Sequence, residues 1–322
     1  MPDLQHIPVL VDETIEQLAL APGDTVIDAT LGLGGHAAAI LEVIGPEGRL
    51  LGIERTEDGL EQARHNLDQF GQQADLVCDD FRRLDAIARA AGFERVAGVL
   101  FDLGLASWQI DTGYRGLSFQ VEAPLDLVVT TFTPQDRTDQ EEDPSTWSPT
   151  ILSGRAGDAA LARTVRTWRF RPARDFLARA TEEEISNVLR SLGGVRSADR
   201  LAEQIVAARS RTPITTTGEL VRVIGSESPG LLAPVFQALR ILVNDEYGAL
   251  VAGLRAGWEL LVPGGHLVVI TFQGTEDRIT KAELRSLLGS NDLISLKPSA
   301  EEINANPRSR SATLRSIQKP AS

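Results

Sequence analysis

Short apolar segments alternate with helix-like segments along the N-terminal third of the chain. The stretch 37–44 has helical composition and stops at Gly-Pro, and 57–66 is again helix-like. Because strands that alternate with helices form a parallel sheet covered on both faces, the pattern predicts an α/β fold. Ligands of such sheets bind beyond the carboxyl ends of the strands. The predicted strands, which end in or beside a carboxylate, are 25–29, 49–54, 75–80 and 96–102.

A glycine-rich turn follows the first predicted strand. Gly32-x-Gly34-x-x-Ala37 fits the dinucleotide fingerprint, and Glu54 follows at a distance suited to a ribose. Asp28 precedes the glycines, where a carboxylate would repel a pyrophosphate but attract a cationic sulfonium and ammonium. The local pattern therefore favours S-adenosylmethionine over NAD, and an NAD-dependent oxidoreductase stays open as the alternative. Asp28 could instead only cap the following helix.

The middle of the chain changes in composition. Residues 136–144 are acidic and flanked by proline, which predicts a solvated loop or a disordered insertion. The next part is rich in arginine, with Trp168 and Phe170 interleaved, as stacking on RNA bases and pairing with phosphates would require. A helix with solvated arginines that folds back on the acidic stretch is an equally weighted alternative. The candidate RNA-binding residues are Arg163, Arg166 and Arg169.

The rest of the chain supplies helices and the last strands. Residues 181–192 begin with a capping box and have helical spacing, and a second helix is predicted over 198–209. Both are expected to form the core of an inserted domain. One helix is predicted over 235–260. Further strands are predicted at 264–272, 293–296 and 312–317.

Composition and charge narrow the classes of protein to which this sequence could belong. The net charge of −13 over 322 residues counts against a nucleic-acid substrate, although a local basic patch matters more than the sum. Neither a membrane span nor a targeting segment is evident, so we expect a cytoplasmic protein without membrane contact. Cys78 is the single cysteine and is expected to be a small buried side chain. No cluster has the spacing of metal ligands, so no metal is expected.

Several segments, in order over nearly the whole chain, resemble the cytosine-N4 methyltransferases of bacterial small-subunit (16S) ribosomal RNA. The run 236–244 is the most specific of them, whereas 131–171 has no clear counterpart in the family. The segments are His6-Ile-Pro-Val-Leu10, Asp28-Ala-Thr-Leu-Gly-Leu-Gly-Gly-His36, Asp102-Leu-Gly-Leu-Ala-Ser-Trp-Gln-Ile-Asp111, Arg115-Gly-Leu-Ser-Phe119, Pro124-Leu-Asp126, Pro213-Ile-Thr-Thr-Thr217, Phe236-Gln-Ala-Leu-Arg-Ile-Leu-Val-Asn244, Glu276-Asp-Arg278 and Asn306-Pro-Arg-Ser-Arg-Ser311.

The resemblance implies a fold, an activity and a partner. It implies a Rossmann-like class I methyltransferase sheet, here 1–107 with 212–322, that binds S-adenosyl-L-methionine. The stretch 108–211 would be an inserted, mainly helical substrate domain with a flexible segment over 131–171. The reaction would be methyl transfer to the exocyclic amine of a cytidine, with small-subunit ribosomal RNA or the ribosomal subunit as partner.

The family's site residues carry over onto particular positions of this chain. The turn would contact the cofactor, Glu54 would hold the ribose where the family usually has Asp, and Gln109 would close the site. Asp28 joins this set through its charge. The implied cofactor contacts are Asp28, Gly34, Gly35, His36, Glu54, Phe81, Asp102 and Gln109.

Two carboxylates are candidates for the chemistry of methyl transfer. The lone pair of the cytosine amine is delocalised into the ring, and acceptors for its N–H groups would restore some of that density. Asp102, at the mouth of the fourth strand, and Asp126 could each accept an N–H and later the proton. An ordinary loop carboxylate that pairs with Arg115 is an equally weighted alternative for Asp126.

The chain departs from the family in motifs expected to lie around the target base. The family continues Pro-Leu-Asp with Met-Arg-Met-Asp, whereas Asp126 is followed here by Leu-Val-Val-Thr-Thr. The family's Phe-His-Ser-Leu-Glu-Asp-Arg appears without its histidine as Phe272-Gln-Gly-Thr-Glu-Asp-Arg278, and Ser-Ser-Pro is replaced by Ala106-Ser-Trp108. These changes keep two alternatives open. One is a relative with another substrate, and the other is a non-enzymatic S-adenosylmethionine-binding protein.

Overall fold

A seven-stranded sheet organises the part of the chain that carries the glycine turn. The structure is a computed structural model, and it describes residues 8–104, 114–130 and 158–321. The residues of β1, β2, β4, β5 and β7 are mostly buried, whereas those of β3 and β6 are only partly covered or exposed. They are β1 (Thr25–Asp28), β2 (Arg49–Glu54), β3 (Ala74–Cys78), β4 (Val96–Asp102), β5 (Leu261–Thr271), β6 (Ile294–Leu296) and β7 (Thr313–Gln318).

The strand order is β3-β2-β1-β4-β5-β7-β6. The first five strands of this order are parallel, and β7 runs antiparallel to both β5 and β6. In the register, Asp28 lies opposite Gly52 on one side and Leu100 on the other. The carboxyl ends of β1, β2 and β4 therefore meet at one edge of the sheet. This arrangement confirms the predicted α/β fold.

Helices connect the parallel strands, as the sequence pattern predicted. The first of the connecting helices begins directly after Gly34, whose φ of 86° lies in the left-handed region. The second begins after Thr56, whose hydroxyl caps it by accepting a hydrogen bond from the Gly59 N–H. The helices of this part up to β4 are α1 (Val11–Leu18), α2 (Gly35–Ile44), α3 (Glu57–Asn66) and α4 (Leu84–Ala91).

Contacts divide the chain into two units, one of Met1–Ala106 with Tyr247–Ser322 and one of Ser107–Glu246. The second unit is helical in its described residues. A capping box between Thr181 and Glu184 begins one of its helices, as the sequence predicted. The helices of the second unit are α5 (Asp158–Trp168), α6 (Ala173–Arg179), α7 (Glu182–Gly193), α8 (Ala198–Arg209), α9 (Thr217–Ile224) and α10 (Pro229–Asn244).

The sequence placed the boundary of the inserted domain at residue 211, whereas the contacts place it at Glu246. The reason is the packing of α10, which buries its apolar side chains against α7 of the same unit. The helix predicted over 235–260 is also divided. Asp245 adopts a left-handed φ of 47° and ends α10, and α11 (Glu246–Leu260) follows.

The segment predicted to be flexible, 131–171, is only partly described. Residues 131–157 lie outside the described residues. The remainder begins with α5, which buries Leu161, Val165 and Trp168 at helical spacing. This part therefore forms an amphipathic helix.

The C-terminal part of the first unit completes the sheet. It contributes α12 (Gly274–Leu288) and α13 (Ala300–Ala305) beside the last strands. Arg315 on β7 forms a two-pronged ion pair with Asp277 on α12, with nitrogen–oxygen distances of 2.7 and 2.9 Å. Among the described residues, no helix combines the length and apolar composition needed to cross a bilayer.

Candidate active site

Asp28 ends β1 and is almost completely buried, at 1% exposure. Its Oδ1 accepts a hydrogen bond of 3.1 Å from the Thr30 N–H. Its Oδ2 is buried and has no hydrogen-bond partner among the described residues. Burial raises the pKa of Asp28 to about 6, and nearby His36 and the Thr30 N–H oppose that rise. A buried carboxylate oxygen without a partner is costly unless a ligand satisfies it.

Asp102 ends β4 and, like Asp28, combines a raised pKa with a buried carboxylate oxygen that has no partner among the described residues. Its backbone N–H donates to the Thr30 hydroxyl, which ties the ends of β1 and β4 together. Its Oδ2 lies 3.5 Å from Nδ1 of His36. Its Oδ1 is buried without a partner among the described residues, and burial raises the pKa of Asp102 to about 7.

His36 lies in the first turn of α2, at 6% exposure. Its Nε2 is 2.9 Å from the carbonyl oxygen of Val9. Because a carbonyl oxygen can only accept, Nε2 carries the ring proton of the neutral imidazole. Burial lowers the pKa of His36, and the nearby carboxylate of Asp28 opposes that change.

At two positions of the glycine turn, neighbouring side chains leave too little room for a Cβ atom. Gly34 has a left-handed φ, and a Cβ there would lie 3.1 Å from the side chain of Leu67. At Gly35 a Cβ would lie 2.9 Å from the ring of Pro8, closer than real Cβ contacts. The turn therefore brings the first amides of α2 to the strand ends, where unpaired N–H groups and the helix dipole attract an anionic group.

Glu54 ends β2 and is held in place by its neighbours. Its Oε1 accepts from the Thr56 N–H at 3.0 Å and from the Thr56 hydroxyl at 2.7 Å. The Gly32 N–H also donates to this carboxylate, which links the glycine turn to the second strand. Burial raises the pKa of Glu54, and these hydrogen bonds oppose the rise.

Phe81 and Asp80 follow β3 at the same edge. Phe81 is 6% exposed and packs edge-on against Phe101, with ring centroids 5.6 Å apart. Asp80 is a residue that the sequence analysis missed. Its Oδ1 caps a short turn by accepting from the Arg82 N–H at 2.9 Å, and its Oδ2 is buried without a partner among the described residues. Two consecutive carboxylates at the end of a predicted strand were the signal that could have found it.

The structure thus brings most predicted cofactor residues to one edge of the sheet. Asp102 and Glu54 are close enough to Asp28 that their negative charges raise its pKa further. The contacts of these residues with a cofactor stay predictions. Gln109 lies outside the described residues. In the part of the chain that the structure describes, no three His, Cys, Asp or Glu residues are grouped to hold a metal ion.

Asp126 belongs to the second unit and is half-buried. Burial raises its pKa, and the charges of Arg174 and Arg115 oppose the rise. The Arg115 guanidinium donates to the carbonyls of Val128 and Thr130, at 3.2 and 3.0 Å. Arg115 therefore attracts Asp126 and also holds the loop that follows it, residues 127–130. The catalytic role of Asp126 stays a prediction.

Asn244, at the end of the most specific family run, stabilises that same stretch. It is 1% exposed, its Oδ1 accepts from the Val129 N–H, and its Nδ2 donates to the carbonyls of Leu127 and Arg240, all at 2.8 Å. Leu127 adopts a left-handed φ of 62°, which is unusual for a leucine. The amide of Asn244 holds this backbone in place.

The candidate RNA-binding residues differ from one another. Arg163 and Arg166 are exposed on α5, whereas Arg169 is partly covered and lies 3.8 Å from the buried carboxylate of Asp245. Trp168 is 7% exposed and packs against Phe176, with ring centroids 5.5 Å apart. In this structure Trp168 is a core residue, and its ring is not available to stack on an RNA base.

Comparison with known proteins identifies the family. The sequence model of the MraW methylase family matches residues 3–140 and 163–320. The gap, 141–162, falls within the stretch that lacked a family counterpart in the sequence.

The chain is similar along nearly its whole length to curated proteins named ribosomal RNA small subunit methyltransferase H. The protein of Symbiobacterium thermophilum is 39% identical, with 98% of this chain and 96% of the relative covered. That of Geotalea daltonii is 37% identical, with 99% and 100% covered. A solved structure, a putative rRNA-methylase from Clostridium thermocellum, is 14% identical with a TM-score of 0.42, over 98% of this chain and 100% of that one.

The match of the family sequence model and the near full-length identity of the relatives point to one assignment. They confirm the family predicted from the sequence, and with it methyl transfer as the activity and S-adenosylmethionine as the cofactor. The chain belongs to the MraW methylase family.

Proposed function

We propose that this chain transfers the methyl group of S-adenosylmethionine to the exocyclic amine of a cytidine in small-subunit ribosomal RNA. The relatives' names give the RNA. The observation that carries the chemistry is a set of buried carboxylate oxygens at the strand ends, those of Asp28, Asp80 and Asp102, which have no partner in the part of the chain that the structure describes. Unsatisfied anionic acceptors in one place are suited to a cationic ligand that also has N–H groups to donate.

The residues at the strand ends fit S-adenosylmethionine group by group. Asp28 and Asp102 supply negative charge for the ammonium and the sulfonium, and the first amides of α2 suit the carboxylate. Glu54 would accept from the ribose hydroxyls. The free oxygen of Asp80 would accept from the adenine amine, beside the apolar surface of Phe81. When bound, the cofactor supplies an electrophilic methyl group.

Asp102 is the residue best placed to act on the amine. Its Oδ1 has no partner among the described residues and would accept an N–H of the amine, which would return electron density to the nitrogen that receives the methyl group. Because burial raises the pKa of Asp102 to about 7, this carboxylate can also take up the proton that the methylated amine releases. We also propose that Asp126 accepts an N–H, as the family resemblance implies.

The proposed binding of RNA depends on exposed arginines of the second unit. Arg163 and Arg166 project from α5 without burying their guanidinium groups. Phosphate contacts of this kind supply affinity that falls with salt. The local excess of arginine offsets a net charge of −13.

Mass spectrometry of cytidines in small-subunit RNA, from cells with and without the gene, tests the reaction. We expect an N4-methyl mark that disappears with the gene and returns with the wild type but not with Asp102→Asn. A mark that persists without the gene would contradict the proposal.

Substitution of Glu54 tests the cofactor side separately. Glu54→Ala removes charge-assisted hydrogen bonds, and we expect it to weaken S-adenosylmethionine binding by about 1.5–3 kcal/mol in calorimetry. Glu57→Ala, an exposed glutamate three residues away, is the matched control and should bind as the wild type does. Equal affinities for both variants would remove Glu54 from the site, and stabilisation by NAD alone would overturn the cofactor assignment.

A further inference from the structure

Residues 8–10, the described part of the first family segment, lie against the glycine turn. The ring of Pro8 packs so close to Gly35 that an added Cβ would lie 2.9 Å from it. The carbonyl oxygen of Val9 lies 2.9 Å from Nε2 of His36 and accepts its proton. Both contacts fall on the first two residues of α2. The segment therefore supports the end of the helix at which the cofactor carboxylate is proposed to bind.

The same segment is also held by Glu302. The Leu10 N–H donates to Oε1 of Glu302 at 2.8 Å, across 292 positions of the chain. Glu302 lies on α13, and its own N–H donates to the hydroxyl of Ser299 at 3.1 Å. Burial lowers the pKa of His36, and the nearby negative charge of Glu302 is one of the effects that oppose this change. Glu302 therefore lies beside both the segment and the imidazole ring that holds it.

The backbone of Leu10 depends on such support. Its φ of 56° lies in the left-handed region, which a leucine adopts at a cost and keeps only where its surroundings hold it. Its side chain is 1% exposed and belongs to the hydrophobic core of the sheet. Its carbonyl begins α1 by accepting from the Thr14 N–H at 2.9 Å. The bond to Glu302 holds the remaining polar group of this backbone, its N–H.

The amides that this segment supports are those before the first hydrogen bond within α2. Ala38 makes that bond, because its N–H donates to the carbonyl of Gly34 at 2.9 Å. The N–H groups of residues 35–37 have no partner inside the helix, as in the first turn of any helix. They are the donors proposed for the carboxylate of S-adenosylmethionine, and their direction depends on how the first turn of α2 is held.

We propose that Glu302 is a positioning residue for the cofactor. By holding the backbone of Leu10, it keeps residues 8–10 against α2 and so fixes the amides that receive the methionine carboxylate. This inference rests on the proposed binding of that carboxylate at the glycine turn. It also joins the late family segment to the site, because the Asn306 N–H donates to the Glu302 carbonyl at 2.6 Å.

Two ligands separate positioning from general support of the fold. Decarboxylated S-adenosylmethionine keeps the adenosine, the sulfonium and the ammonium of the cofactor and lacks only its carboxylate. Calorimetry measures the affinity of both ligands for the wild type and three variants, and thermal unfolding is measured alongside. Glu302→Ala removes the acceptor, whereas Glu302→Gln keeps an acceptor oxygen. Glu301→Ala is the matched control, an exposed glutamate on the same helix.

We expect Glu302→Ala to weaken S-adenosylmethionine binding roughly tenfold, the low end of what a hydrogen bond to a charged group contributes. Its affinity for the decarboxylated ligand should stay that of the wild type. Glu302→Gln should bind S-adenosylmethionine within about twofold of the wild type, because its amide oxygen can still accept from the Leu10 N–H. Glu301→Ala should bind both ligands as the wild type does.

Equal losses of affinity for both ligands in Glu302→Ala, or no loss for either, would overturn the role of Glu302 alone. A wild type that bound both ligands equally would overturn this role and the proposed carboxylate contact together. Because neither ligand requires RNA, a selective loss in Glu302→Ala together with an absent RNA product would support the role of Glu302 and contradict only the proposed methylation.

A measurement on the wild type covers the case in which Glu302→Ala does not fold. Hydrogen exchange of the Leu10 amide reports its bond to Glu302. If the segment and the turn are held as one unit, saturating S-adenosylmethionine should slow this exchange at least about threefold more than the saturating decarboxylated ligand does. Equal exchange with the two ligands would overturn the proposal.

Discussion

Two regions of the molecule differ in whether their buried polar atoms have hydrogen-bond partners. One is the set of strand ends in the first unit, and the other is the loop of the second unit that Asn244 holds. Asp28, Asp80 and Asp102 each keep one buried oxygen without a partner among the described residues. Asn244 uses its amide oxygen and both amide protons in hydrogen bonds to the backbone. Both sets include residues of family motifs, so a motif alone does not distinguish binding from structural support. The free acceptors identify the surface that meets a ligand.

Asn244→Ala should produce the largest change of stability. It leaves the Val129 N–H and the Leu127 carbonyl buried without partners, which costs on the order of 3–4 kcal/mol of unfolding free energy. Chemical denaturation measures this loss. In the folded fraction, affinity for S-adenosylmethionine should stay that of the wild type.

Asn291→Ala is the control, because Asn291 is exposed and should change stability by less than about 0.5 kcal/mol. If Asn244→Ala were as stable as this control, or if it lost cofactor binding while folded, the distinction between the two regions would fail.

The sequence was sufficient to predict those elements in which the local pattern of apolar residues leads directly to a functional residue. Strands β1 to β4 are short and mainly apolar, so their positions and the carboxylates at their ends could be predicted. Asp80 could not be separated from Asp79, because the difference lies in their partners. Asp79 pairs with Arg83, whereas Asp80 turns inward and caps the next turn.

Non-local contacts explain what the sequence could not predict. The break at Asp245 has no glycine or proline to mark it, and it depends on the left-handed backbone of Asp245 between the end of α10 and the start of α11. The arginines around Trp168 in the sequence favour a role in stacking on RNA bases. The partner of Trp168, Phe176, lies on the following helix and buries the ring.

The pH dependence of stability should report the free carboxylates directly. Burial raises the pKa of Asp28 to about 6 and that of Asp102 to about 7. The contribution of these two groups to the unfolding free energy of the ligand-free protein is therefore fully present below the pKa of an unfolded aspartate. It is lost as pH rises through the raised pKa values of the folded state. Between pH 5 and pH 8 we expect a loss on the order of 2 kcal/mol relative to the Asp28→Asn/Asp102→Asn double variant, measured by denaturation at each pH.

Asp58→Asn, an exposed carboxylate on α3, should follow the wild-type pH dependence. Saturation with S-adenosylmethionine should reduce the loss, since a bound cation stabilises the charged carboxylates. If the double variant had the same pH dependence as the wild type, ionisation of Asp28 and Asp102 would not lower stability. The contrast with Asn244 would then weaken.

The smallest expected effect on stability concerns the arginines of α5, where the second unit is proposed to meet RNA. Arg163→Ala/Arg166→Ala removes two exposed guanidinium groups, so stability should change by less than about 0.5 kcal/mol. Binding to small-subunit RNA fragments should weaken, and its salt slope should flatten by roughly one unit for each lost phosphate contact. Arg169→Ala is the contrasting variant. It lies 3.8 Å from the buried carboxylate of Asp245, so its loss should lower stability more than it changes the salt slope. Filter binding across a salt series measures the slopes. Equal slopes for the wild type and the double variant would show that Arg163 and Arg166 are only a solvated face, and the RNA contacts of the second unit would have to lie elsewhere.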